Sequence, residues 1–130
     1  GYRIDYQGRS AVLSGDTTFN ENLIHHAQGV DLLVHEVTAA AGSAAENPQQ
    51  LKRIGANHTT PEQAGEVFAR VRPRLAVYNH LLLFGSAQPE DLIPATRKQY
   101  DGPLIVGSDL LQIEIGSEIL ATPFQSKLGQ

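Results

Sequence analysis

Three apolar runs end in side chains that can hold a metal or move a proton: AVLSGD at Asp16, VDLLVHE at His35 and Glu36, and LAVYNH at His80. Strands of an open α/β sheet deliver the residues at their carboxyl ends to one crevice, so this repetition places a carboxylate, a second carboxylate and an imidazole near one another. Carboxylate and imidazole together suit metal ligation or general acid–base work. Asp16 follows Gly15, which lets the backbone turn and the carboxylate project. The alternative is an Asx turn with its own backbone. His80, followed by Leu81 to Phe84, sits in apolar surroundings that favour a neutral imidazole, as a ligand or as a hydrogen-bonded core residue.

His58 precedes the helix signal Thr60-Pro61-Glu62-Gln63 by two residues, and the partial positive charge of a helix N-terminus disfavours imidazolium while attracting anions. Paired with Glu36, it could give a proton to a leaving oxygen. A solvent-exposed capping histidine and a glutamate on a solvated loop are the competing reading. His25 and His26 are adjacent on a short helix and point about 100° apart, so they read as surface residues. His35 and Glu36 alternate along a strand, so only one of them faces the crevice, and Glu36 is the choice. Asp109 reads as a loop-capping residue, with a site role as the alternative.

The elements that position these residues follow from turn and cap signals. Tyr2 to Tyr6 and Ser10 to Leu13 flank Gln7-Gly8 and form a hairpin. Asn20 caps a helix over Glu21 to Gln28 that Gly29 stops. Val30 to Val34 is a strand covered on both faces. Thr38 to Glu46, rich in alanine, reads as a mobile loop, and Asn47-Pro48 opens a helix through Arg53. Thr60, Pro61 and Gln63 specify a helix to about Val71. Leu75 to Tyr78 and Leu104 to Val106 are further strands. Pro89 to Tyr100 is helical in its outer parts with Pro94 near a helix start, and Leu111 to Ile115 with Glu118 to Leu120 form a closing hairpin. Alternating β and α elements with hairpins at both ends predict a layered α/β domain with a mixed sheet and flanking helices.

The chain has 130 residues, 41% of them apolar, enough for one hydrophobic core, and residues 1–130 read as a single domain. Ten basic and fourteen acidic residues leave a net charge of −4, so no broad positive field attracts a phosphate backbone. With no cysteine, any metal must be bound by histidine and carboxylate. No run approaches the roughly 18 apolar residues of a membrane span, so no membrane partner is expected. The chain reads as soluble, with the cytoplasm slightly favoured. It lacks methionine and opens inside a strand, which suggests part of a longer protein.

Taken together, Ser14-Gly15-Asp16-Thr17, His35-Glu36-Val37-Thr38, His58-Thr59-Thr60-Pro61-Glu62-Gln63-Ala64 and Asn79-His80 resemble the later half of the metallo-β-lactamase superfamily, and its ribonuclease Z-like branch most. The resemblance covers roughly residues 2 to 115. It implies the second half of an αββα sandwich whose other half is missing here. It also implies two zinc ions, with manganese or iron as alternatives, Asp16 bridging both metals and His80 completing the second site. His58, oriented by Glu36, would protonate the leaving oxygen. The expected activity is zinc-dependent hydrolysis of a phosphodiester, transfer RNA 3′ ends included, or of a small ester or lactone. The first-half signature His-x-His-x-Asp-His is absent, so about two of the seven implied ligands are present. The chain is therefore expected to be inactive alone and to pair with a missing N-terminal half or a dimer partner. The contrasting hypothesis is a non-enzymatic α/β binding or regulatory module, which needs no zinc and gives His80 no role.

Overall fold

The computed structural model describes residues 1–125. Strands β1 (Tyr2–Tyr6), β2 (Arg9–Leu13), β3 (Leu32–Ala41), β4 (Leu75–Gly85) and β5 (Leu104–Val106) form a five-stranded sheet in chain order. β1 and β2 are antiparallel, and the remaining neighbours are parallel. The sheet is therefore mixed, as the alternation of elements predicts. Gln7 and Gly8, both at positive φ, make the tight turn of the first hairpin.

Helices α1 (Glu21–His26), α3 (Pro61–Val71) and α4 (Pro89–Thr96) cover one face. Their core contributions, Ile24, Val67, Phe68, Val71 and Leu92, pack on Val12, Leu33, Val37, Ala76 and Tyr78. The hairpin of β6 (Gln112–Ile115) and β7 (Ile119–Thr122) covers the opposite face, where Ile113, Ile115 and Ile119 meet Leu32, Leu75, Val77, Val34 and Ile105. β3 is apolar on both parities because both of its faces are buried. Pro61 at the first helical position and a reciprocal Thr60–Gln63 capping box start α3 where its residues predict. Gly65 on that helix admits α4 closely: a Cβ there would stand 2.7 Å from the Thr96 carbonyl oxygen.

Two expectations are corrected. The stretch from Thr38 is not a loop at first: β3 runs on to Ala41 and β4 runs on to Gly85, pairing Thr38 with Leu82 and Ala41 with Gly85. Only then come a 3-10 turn at Gly42–Ala44 and helix α2 (Pro48–Gly55). Alanine has little strand preference of its own, and the partner strand supplies the pairing. Pro94 lies inside α4 rather than near its start, six residues into a short helix, where its missing N–H costs one intrahelical bond.

β2 pairs with β3 only through residues 32–34 of β3, and β5 with β4 only through 76–78 of β4. Beyond that level the sheet narrows from five strands to two. The step between the wide and narrow parts is where the crevice opens.

Candidate active site

The step carries a β-bulge. Glu36 pairs with Asn79 and Val37 with Leu81, leaving His80 as the extra residue at φ 42°. The bulge also changes which side chains face the helices. Ala76 and Tyr78 do so before it, and Leu81 and Leu83 after it. His80 is released from the alternation and its side chain is half-exposed. Asp16 stands in the loop after β2, beyond Gly15 at φ 61°, and its Oδ1 lies 3.5 Å from His80 Nε2. His58 joins them: one ligand atom from each of Asp16, His58 and His80 lies within 4.8 Å of the other two.

Behind this group Glu36 is fully buried. Its Oε1 accepts from the backbone N–H of Thr59 at 2.9 Å and of Thr17 at 3.4 Å. Its Oε2 has no hydrogen-bonding partner except His58 Nδ1, 3.4 Å away and itself otherwise unpartnered. The contact is longer than a well-formed charge-assisted bond. Burial raises the Glu36 carboxyl above the usual range, opposed by the Thr59 and Thr17 N–H groups and by His58. A carboxyl so raised lies closer to imidazole in proton affinity than a surface glutamate does.

Local sequence explains the clamp. Thr60 and Pro61 fix the first turn of α3, so Thr59 just before it presents its N–H to Glu36. Thr59 is wholly buried, and its hydroxyl donates to the Thr17 carbonyl at 2.6 Å, tying the Asp16 loop to the start of α3. Ser14 Oγ accepts from the Glu36 N–H at 3.0 Å and donates to the Gly15 carbonyl at 2.7 Å. The Thr38 N–H donates to the Thr59 carbonyl at 2.9 Å. Ser14, Thr17 and Thr59 do not stand out in the sequence reading. Their only signal was position within motifs chosen for other residues.

All four residues singled out for the site, Asp16, Glu36, His58 and His80, come together. His35 lies on the opposite parity from Glu36, buried against Phe68 with ring centroids 5.9 Å apart. His25 and His26 lie exposed on α1 and do not join the group. Asp109 is outside the group but lines an adjoining cleft of about 560 Å³ to which Asn79 and His80 also contribute.

The donors suit a divalent metal of the zinc, manganese or iron type: two imidazoles and a carboxylate. Two ligands of one tetrahedral zinc ion stand about 3.4 Å apart, and the Asp16–His80 separation of 3.5 Å is close to that. Three donors are fewer than a closed site requires, so the described residues fit part of a metal centre.

A mixed sheet whose parallel strands deliver Asp16, Glu36 and His80 to one step, with His58 held at a helix start, defines a metallo-β-lactamase-type arrangement. The sequence model of the beta-lactamase superfamily domain matches residues 1–81, and the chain belongs to that family. The chain is 32% identical to a ribonuclease Z from Myxococcus xanthus over 83% of its length, which is 33% of that protein. It is also 32% identical to a ribonuclease Z from Mycobacterium avium over 88% of its length, 41% of that protein. It thus spans between a third and about half of the curated relatives it matches. The metallo-beta-lactamase fold protein YhfI from Bacillus subtilis shares the fold, with a TM-score of 0.63 and 17% identity over 81% of this chain and 39% of that one.

Proposed function

We propose that these residues form the later part of a metal-dependent phosphodiesterase of ribonuclease Z type. Asp16 and His80 are the ligands this chain contributes, and His58 and Glu36 the acid–base pair. The observation that carries the reading is the Glu36–His58 contact: two buried atoms, each without another partner, set beside the Asp16–His80 pair. The similarity to ribonucleases Z supports a phosphodiester substrate, RNA included, over a small ester or lactone.

In this reading Asp16 and His80 would hold zinc, or manganese or iron in its place. When bound, a metal pair of this kind acts as a Lewis acid and makes water a competent nucleophile near neutral pH. Glu36, anchored by Thr59 and Thr17, holds the Nδ1 side of the His58 ring. His58 gives its proton to the leaving oxygen, and the Glu36 carboxylate offsets the charge of the imidazolium before transfer. The N–H groups of Thr17 and Thr59 keep Glu36 from swinging toward the metal ligands. The binding-module alternative gives His80 no role, whereas His80 occupies a strained bulge that aims it at Asp16.

Two zinc ions need more ligands than Asp16 and His80, so the remainder would come from residues outside these 130 or from a second copy. The chain on its own is then a single inactive domain, half of the full catalytic unit. The test is metal content by plasma emission on the full natural polypeptide carrying these residues, together with hydrolysis of bis(4-nitrophenyl) phosphate. About two metal ions per chain are expected, with loss of metal and at least a hundredfold loss of turnover in Asp16→Ala and His80→Ala. His58→Ala should keep the metal and lose turnover on esters with poor leaving groups most. Full activity and metal content in Asp16→Ala would overturn the assignment.

A further inference from the structure

His58 also lines a cleft of about 500 Å³ between α2 and the end of β4, to whose lining neither Asp16 nor His80 contributes. Its lining contains no carboxylate, although the chain as a whole is acidic. Carboxamides come from Asn47, Gln49, Gln50 and Asn57, a guanidinium from Arg53 and an aromatic ring from Phe84.

Each group is available. Asn47 spends its Oδ1 on the Gln50 N–H at 3.2 Å, which leaves its amide N–H₂ free. The side chains of Gln49, Gln50 and Asn57 form no hydrogen bond among the described residues. Arg70, Arg72, Arg74 and Lys98 are each within ion-pair distance of a carboxylate, at 2.6 to 3.7 Å. Arg53 pairs with none among the described residues, although it is exposed. Phe84 is half-buried and sits on the parity that the His80 bulge turns away from the helix-packed core. The cleft is tied to the site through the chain itself, because the His58 N–H donates to the Ile54 carbonyl at the end of α2, 3.2 Å away.

A free cation, an aromatic face and unspent amide groups are what a nucleotide requires: a phosphate contact, a stacking surface, and donors and acceptors for base edges. We propose that this cleft is the leaving-nucleotide subsite, with a base stacked on Phe84 and read by Gln49, Gln50 and Asn57, and its neighbouring phosphate on Arg53. The assignment rests on the phosphodiesterase reading above, since the group that leaves must lie beyond the residue that protonates it.

The test uses the full natural polypeptide and a hydrolysis-resistant oligoribonucleotide carrying 2-aminopurine, whose fluorescence is quenched on stacking. Arg53→Ala should weaken binding about tenfold and flatten the dependence of log Kd on log salt by about one unit. Phe84→Leu should abolish the stacking quench and weaken binding about fivefold or more. In kinetics on a cleavable RNA, KM should rise in both variants. Relative to bis(4-nitrophenyl) phosphate, selectivity for RNA should fall at least fivefold. Binding and quench unchanged in both variants would overturn the subsite. So would a wild-type protein that hydrolyses bis(4-nitrophenyl) phosphate but does not bind the oligoribonucleotide, with the phosphodiesterase reading left standing. Failure on both substrates would overturn that reading as well.

Discussion

At the scale of single residues, two adjacent side chains of β3 have opposite titration behaviour. Burial raises Glu36, whereas it lowers His35 below the usual imidazole value. The Nδ1 of His35 lies 2.7 Å from the Glu36 carbonyl oxygen, which can only accept, so Nδ1 carries the proton and the buried, unpartnered Nε2 is bare. Protonating Nε2 would place a cation in the core beside Phe68. The unfolded chain takes up that proton near pH 6.5, and the folded chain takes it up only at lower pH. Stability from this residue is therefore complete above about pH 6.5 and falls as pH drops below it. Urea midpoints of the metal-free protein should decline from pH 7.5 to 5.5. His35→Asn, which keeps a donor near Nδ1 but cannot titrate, should flatten that decline, and an equally steep decline in the variant would contradict the account. The same burial is useful at Glu36, where a carboxyl drawn towards imidazole in proton affinity is a suitable partner for His58.

At the scale of elements, the bulge in β4 is the device that makes the site. In a regular β4 the side chain at position 80 would follow the alternation of Ala76 and Tyr78 into the helix-covered core. The extra residue lifts it out, at the cost of a left-handed backbone that disfavours a residue with a Cβ by roughly 1–2 kcal/mol. Comparing two truncations isolates that cost. His80→Gly should be more stable than His80→Ala by about 1 kcal/mol in urea unfolding, while both lose metal equally. Equal stabilities would mean that the backbone there is relaxed. The start of α3 has the complementary task of presenting Thr59. Thr59→Val keeps the shape but leaves the Thr17 carbonyl without its hydroxyl partner, and should cost about 1–2 kcal/mol. It should also lower kcat more than it raises KM, since the Thr17 N–H on Glu36 loses its tie to the start of α3 while the Thr59 N–H stays and no substrate contact is removed.

At the scale of the whole molecule, the fold brings Asp16, Glu36, His58 and His80 together at one step of the sheet. Both faces of the sheet have cover, by α1, α3 and α4 on one side and by the β6–β7 hairpin on the other. The 130-residue chain should therefore fold independently, show a cooperative thermal transition, and bind zinc more weakly than the full polypeptide. On the proposed reading its hydrolysis of bis(4-nitrophenyl) phosphate should be at background, and a polypeptide that supplies the further ligands in trans should restore it. Full activity from the isolated chain would show that the site is complete without further ligands.

What the sequence determined by itself was local. Cap and turn residues near Asn20, Asn47 and Thr60 act through neighbours a few positions away, so they set the helix starts without reference to the rest of the chain. The four short motifs likewise singled out Asp16, Glu36, His58 and His80, which the fold brings close together. The tertiary structure decided what depends on a distant partner. Strand character from Thr38 to Ala41 exists only because Leu82 to Gly85 lies alongside. His80 leaves the alternation only because its strand carries one residue more than β3 at that step. Thr59 becomes the anchor of Glu36 only when α3 packs on the sheet, a contact between residues 23 positions apart. Pairing, register and burial are set by what the chain meets in space, and no window along the sequence contains both sides of such a contact.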